Sequence, residues 1–123
     1  MTRSLLIVDD DADVRRLAVL SLSKIGGYEV QSVESGEACL AHLAESVPDA
    51  VVLDVNMPDM DGPATLLKIR DGATTHAVPV VFLTAGVVEA DMDRLHALPV
   101  TGVLHKPFDP MQLPAQLAAL LGW

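Results

Sequence analysis

Five side chains spread along the sequence carry the chemistry worth weighing first: Asp9 and Asp10 side by side, then Asp54, Thr84 and Lys106. Carboxylates brought close together repel one another, so such a group either takes up protons or binds a cation. An all-oxygen donor set with room for water suits Mg²⁺ better than Zn²⁺, and no His or Cys pair is spaced to compete. A lysine supplies a compact cation and a threonine a hydroxyl donor. Together with a metal, they can neutralise the equatorial oxygens of a transferring phosphoryl group. The nucleophile left in such a set is a carboxylate. Taken singly, each aspartate has a plainer explanation, because Asp at the end of an element is usually a solvated cap or turn former. Convergence of the five therefore depends on the elements that carry them.

Ser4–Val8 is a nearly continuous apolar run that stops at Asp9, the pattern of a strand buried on both faces of a parallel sheet. Asp11 is placed to cap a single amphipathic helix in which Val14, Leu17, Ala18, Ser21, Leu22 and Ile25 follow helical spacing up to Gly26-Gly27. Glu29–Val33 reads as a second strand, Gly36–Glu45 as a helix, and Ala50–Leu53 as a Val-rich strand ending at Asp54. After the loop Val55–Gly62, Pro63 suits a first helical position, and the helix Pro63–Arg70 should close at Asp71-Gly72. Val80–Leu83 is the fourth strand and ends at Thr84. Val87–Leu98 carries the weakest apolar stripe and is expected to form the fourth helix. Gly102–His105 forms the fifth strand, just before Lys106. Pro114 would break a helix begun much earlier, so Pro110–Gln112 should be a separate turn and the last helix should begin near Leu113. Strands alternating with helices imply an α/β fold, a doubly wound five-stranded parallel sheet with right-handed crossovers. Ligands bind such sheets at the carboxyl ends of the strands, where all five side chains fall.

With 123 residues the chain fits one domain, and with half its residues hydrophobic but only 3% aromatic the core must be aliphatic. No apolar run approaches the ~20 residues of a membrane span, so a cytoplasmic protein without membrane insertion is expected. A net charge of −9 with only eight scattered Lys and Arg argues against direct nucleic-acid binding. Cys39 lies in an Ala/Leu pattern and reads as a buried, inert thiol. His42, His76, His96 and His105 have no ligand spacing, and His105 should point away from its neighbour Lys106. Met57 and Met60 read as loop packing.

Four motifs at these strand ends resemble the receiver domains of bacterial two-component response regulators. They are Val8-Asp9-Asp10-Asp11, Leu53-Asp54-Val55-Asn56-Met57-Pro58-Asp59-Met60-Asp61-Gly62, Leu83-Thr84-Ala85 and His105-Lys106-Pro107-Phe108. The resemblance spans the chain, so residues 1–123 are expected to be one receiver domain with no output domain; a complete protein of this kind would work through protein–protein contacts alone, and a domain cut from a hybrid kinase would read equally this way. It implies the (βα)5, flavodoxin-like sheet with strand order 2-1-3-4-5. It also implies that Asp54 is a phosphoacceptor, taking its phosphoryl group from a phosphohistidine on a sensor histidine kinase or histidine phosphotransfer protein. Such a protein is a switch acting on a downstream protein target, and not an enzyme beyond its own phosphorylation and dephosphorylation. A weak homodimer is compatible with that role. By the same matching, Asp10, Asp54 and the backbone carbonyl of Asn56 would hold Mg²⁺, with Asp9 acting mainly through water. Thr84 and Lys106 would bind the phosphoryl oxygens, and the Lys106-Pro107 bond would be cis.

One position departs from the family pattern. Many receivers carry Tyr or Phe three residues before the lysine, where this chain has Val103. A β-branched side chain has no ring to swing between pockets. The switch is therefore expected to fall on Thr84 and the segment after it, where Gly86 adds backbone freedom. Arg15 and Val19 are expected to share an outer flank of the first helix that meets a partner.

Three other readings compete. A phosphatase of the haloacid dehalogenase type also uses an Asp nucleophile with Mg²⁺, but it would want a second Asp two residues on, where this chain has Asn56. It predicts turnover of small phosphate esters. A receiver that has lost its chemistry would show substitutions among the acids, Thr84 or Lys106, and all are retained. A flavodoxin-like FMN protein would need strand ends that attract phosphate, and here they are acidic.

Overall fold

The computed structural model describes residues 2–85 and 89–123. In chain order the elements are β1 (Ser4–Val8), α1 (Ala12–Leu20), β2 (Glu29–Val33), α2 (Gly36–Glu45), β3 (Ala50–Asp54), α3 (Gly62–Asp71), β4 (Val80–Thr84), α4 (Glu89–His96), β5 (Gly102–His105) and α5 (Leu113–Leu121). The five strands are all parallel, in the order β2-β1-β3-β4-β5.

The continuous apolar runs of the central strands are explained by two separate cores. On one face of the sheet Leu5, Ile7, Val52 and Val81 pack against Ala18, Leu22, Leu113 and Leu117 from α1, the turn that follows it and α5. On the other, Leu6, Val8, Leu53 and Phe82 pack against Cys39, Leu43, Leu66, Ile69 and Leu95 from α2, α3 and α4. Successive side chains point to opposite faces, so a strand covered on both sides must be apolar at every position. Each side chain of the size of Leu that is fully buried here contributes roughly 1.5–3 kcal/mol.

The first helix departs from the regular helix expected of it. It is α-helical to Leu20, then widens into a π-helical turn over Ser21–Ile25, in which the Gly26 N–H donates to Ser21 O at 3.1 Å. Ser23 Oγ donates to Val19 O (2.6 Å), a bond that competes with regular helical pairing, and Ser21 Oγ donates to Pro110 O (2.5 Å), which ties the turn to the segment before α5. The extra residue in the turn rotates Ile25 outward, leaving it 47% exposed while Leu22 is fully buried. Leu17, also expected in the core, is exposed beside Pro107 and Phe108.

The turn Pro110–Gln112 precedes α5 as the position of Pro114 requires. The fourth helix is shorter than its apolar stripe: it ends at His96, and Gly86, Val87 and Val88 lie outside the described residues. At the amino ends of β1 and β2, the guanidinium carbon of Arg3 lies 4.3 Å above the ring of Trp123, whose centroid is 5.5 Å from that of Tyr28. Among the described residues no helix is long and apolar enough to cross a membrane.

Candidate functional site

Strand register brings the acids together. β1 lies beside β3 with Val8 opposite Leu53, so the next residues, Asp9 and Asp54, emerge side by side. β4 follows with Leu83 opposite Asp54, and β5 with His105 opposite Thr84. The Lys106 N–H donates to Thr84 O at 2.8 Å, which carries the lysine to the same edge.

The resulting cluster is largely dry. Asp9 is fully buried, and Asp54 and Thr84 are 3% and 2% exposed. Lys106 Nζ lies 2.8 Å from Asp9 Oδ2 and 3.2 Å from Asp54 Oδ1, so one ammonium serves two carboxylates. Asp9 Oδ1 accepts the Asp11 N–H at 2.9 Å, whereas Oδ2 has the ionic contact with Lys106 and no well-aligned hydrogen bond. Asp10 is exposed at the mouth, and one carboxylate oxygen from each of Asp9, Asp10 and Asp54 falls within 4.8 Å of the others.

Charge is unbalanced here. Burial, and then the negative charge of Asp9, raise the Asp54 pKa from 3.8 to about 6, against the pull of Lys106 and of the Asn56 N–H. Burial pushes the Lys106 ammonium down, but its bond to Asp9 and the charges of Asp54 and Asp9 outweigh that and leave its pKa above the ordinary value. An excess of carboxylate over cation, with an under-bonded buried oxygen and only oxygen donors, is a setting that a hard divalent cation such as Mg²⁺ fits.

The loop after β3 is shaped around Asp54. Asp61 caps α3 by accepting the Ala64 N–H, and the Gly62 N–H donates to Val55 O at 2.9 Å. A methyl group on Gly62 would meet Asp54 O at 2.5 Å, so only glycine allows the chain to fold back this closely. Asn56 is exposed, and its N–H donates to Asp54 Oδ1 at 3.4 Å. Met57 is buried in the core and Met60 half-buried, as loop packing requires. Val103 is half-buried on β5 opposite Phe82 and joins the core on the α2–α4 side. The Lys106-Pro107 peptide is cis.

Other candidates fall away from the cluster. His42 is half-buried, His76, His96 and His105 are exposed, and none of them is grouped with the acids. Cys39 is fully buried, and burial pushes its thiol up to about 12, which leaves it inert. Arg15 and Val19 do line one groove on α1, with Arg16, Leu20 and Ser32. Arg15 is nonetheless committed inward: its Nη1 donates to Asp9 O at 2.8 Å. Val19 packs on the core beneath, and the exposed apolar side chains of the helix are Leu17 and Leu20. The sequence signal for Arg15 was its place one helical turn beyond the cap Asp11, from which a long side chain reaches back over the preceding loop.

Comparison with known proteins agrees with this geometry. The family model described as response regulator receiver domain matches residues 5–118. The chain is 38% identical over 119 residues to the transcriptional regulatory protein GltR of Pseudomonas aeruginosa, covering 97% of this chain and 49% of that protein. It spans about half the length, or less, of the curated relatives it matches. Among solved structures, a putative response regulator from Chloroflexus aurantiacus is similar at a TM-score of 0.90 with 32% identity, with 100% of both chains covered. The chemotaxis response regulator CheY4 of Vibrio cholerae also reaches 0.90, with 29% identity over 98% of this chain and 99% of that one. An acid cluster and a lysine gathered at the carboxyl ends of a 2-1-3-4-5 sheet, and matches over nearly the whole chain, lead to one conclusion: this chain belongs to the response regulator receiver domains of two-component systems.

Proposed function

We propose that Asp54 accepts a phosphoryl group from a phosphohistidine of a sensor histidine kinase or histidine phosphotransfer protein. The observation that carries this reading is the shared Lys106 ammonium, which contacts both Asp9 and Asp54 at the mouth of a buried acid cluster. An Asp54 oxygen attacks phosphorus, the P–N bond of the donor breaks, and its electron pair returns to the imidazole nitrogen. Lys106 and Thr84 would meet the charge on the transferred oxygens. Asp10, Asp54 and the Asn56 carbonyl would hold Mg²⁺, with Asp9 acting through water. The metal supplies the positive charge that a single lysine cannot.

The reaction modifies the protein itself, so the chain acts as a switch and not as a catalyst of turnover. Its output is a change in contacts with a downstream protein target; the net charge of −9 disfavours direct binding to nucleic acid. In this reading Thr84 carries the switch. Val103, held between its neighbours on β5 and the fully buried Phe82, stays in place.

Mass spectrometry after incubation with acetyl phosphate and Mg²⁺ tests the proposal. One added phosphoryl group on Asp54 is expected, abolished by EDTA and by Asp54→Asn. Equal modification of the Asp54→Asn protein would assign the chemistry to another residue.

A further inference from the structure

Asp10 is the one exposed carboxylate of the cluster, and among the described residues nothing hydrogen-bonds its oxygens. With no partner to hold the side chain, the point and angle from which its carboxylate reaches the cluster are set by its backbone. That backbone is clamped on both sides. Asp9 is held by Lys106 and by the Asp11 N–H. Asp11 is held by its role as cap, with Oδ1 accepting from Asp13 N at 2.9 Å and Val14 N at 3.2 Å. What remains is the rotation of the peptide between Asp9 and Asp10, whose carbonyl and N–H lie in one plane. The Arg15 guanidinium grips that carbonyl at 2.8 Å from a half-buried position on α1.

We propose that Arg15 is a positioning residue for the metal site, fixing the Asp9–Asp10 peptide plane so that the Asp10 carboxylate points at the cation. This rests on the Mg²⁺-dependent reading above. A charge-assisted bond to a carbonyl is strong and directional, and partners that orient metal ligands have large effects on metal affinity.

The alternative is that Arg15 acts only as a nearby charge. The two roles predict opposite signs. A guanidinium close to a divalent cation repels it, so loss of a mere charge tightens Mg²⁺ binding, while loss of a positioning contact weakens it. Arg16 supplies the control. It is the next residue, carries the same charge, is exposed, and has no hydrogen bond or ion pair with Asp9.

The test is Mg²⁺ titration of the full chain without phosphodonor, followed by backbone amide NMR, for the unaltered protein, R15Q, R15K and R16Q. R15Q should weaken Mg²⁺ affinity about tenfold, with R15K intermediate and R16Q unchanged or tighter. With acetyl phosphate, R15Q should need more Mg²⁺ yet recover most of its rate at saturation. Mg²⁺ binding by R15Q as tight as in the unaltered protein, or tighter, overturns the inference, as does equal weakening in R16Q. If R15Q folds poorly, R15K decides by the same criterion: weaker binding supports the role and unchanged affinity overturns it. An unaltered protein that binds no Mg²⁺ overturns the metal-dependent reading itself, an outcome distinct from tight binding by R15Q.

Discussion

The segment after β1 and the helix after β4 are built into the fold in different ways. From Asp9 to Arg15 the chain is fastened by a cap, two side-chain contacts of Asp9 and the guanidinium of Arg15. Among the side chains described on α4, Leu95 is buried and Met92 half-buried, while Asp93, Arg94 and His96 are exposed. On either side of that region Arg70 donates from Nε to Pro99 O (2.8 Å), after the helix, and from Nη1 to Val78 O (2.6 Å), before β4. Elements with few buried contacts open at low free-energy cost, and binding sites need rigid supports. The difference suggests a division of labour in which the β1 side fixes the geometry of the site and the β4 side reports what happens there.

The strongest way to break the fixed side is Lys106→Met. It leaves Asp9 and Asp54 facing each other without their shared cation, and removing one partner of a buried ion pair costs about 3–5 kcal/mol. Urea unfolding near pH 7.5 should show a loss of that order, narrowing toward pH 5 as Asp54 takes up a proton. Unchanged stability would mean that the lysine does not hold the acids.

The next effect is a pH dependence of the metal-free protein. Asp54 has its pKa raised from 3.8 to about 6 in the fold, so between those values the folded chain binds a proton that the unfolded chain does not. This contribution is fully present below the unfolded pKa and is lost as pH rises through about 6. By linkage, a rise of that size bounds the contribution at roughly 3 kcal/mol. Urea unfolding across pH 4.5–7.5 should therefore show stability rising on acidification from this group, and Asp54→Asn should flatten the profile and be the more stable protein at pH 7.5. A profile that is the same with and without Asp54→Asn would contradict the raised pKa assigned to this carboxylate.

The smallest effect sharpens the contrast between the two sides. On binding beryllofluoride, backbone and methyl NMR should show its largest changes from Thr84 to Ala90, with Val103 and the Asp11–Arg15 turn quiet. Large shifts at Val103 with a quiet Thr84–Ala90 segment would reverse the assignment of the moving side.

What was legible in the sequence follows from where its signals come from. Strands buried on both faces announce themselves as apolar runs, and three runs here stop at a polar residue of the site, so β1, β3 and β4 could be located together with Asp9, Asp54 and Thr84, while the half-buried β5 was marked by the short run just before Lys106. The bonds that shape the site in detail leave no periodic trace. Arg15 reaching the Asp9 carbonyl, Ser21 reaching Pro110 and Arg70 reaching Pro99 all run from a side chain to a backbone oxygen, and any sequence could supply that oxygen. The π-helical turn was hidden for the same reason: Val14, Leu17, Ala18, Ser21, Leu22 and Ile25 fit regular helical spacing until the Ser23 hydroxyl competes for the Val19 carbonyl. The carboxyl end of the fourth helix, at His96 and not at Leu98, escaped because its apolar stripe is too weak to mark it.

Trp123, packed between Arg3 and Tyr28, is the sole tryptophan of the chain and stands at the end of the sheet opposite the acids. Its indole fluorescence therefore registers whether the fold is intact while staying optically indifferent to ions or phosphoryl groups at Asp54. A shift in the midpoint of tryptophan-detected unfolding when Mg²⁺ is added consequently measures the ion's binding free energy through linkage, with no local quenching to subtract.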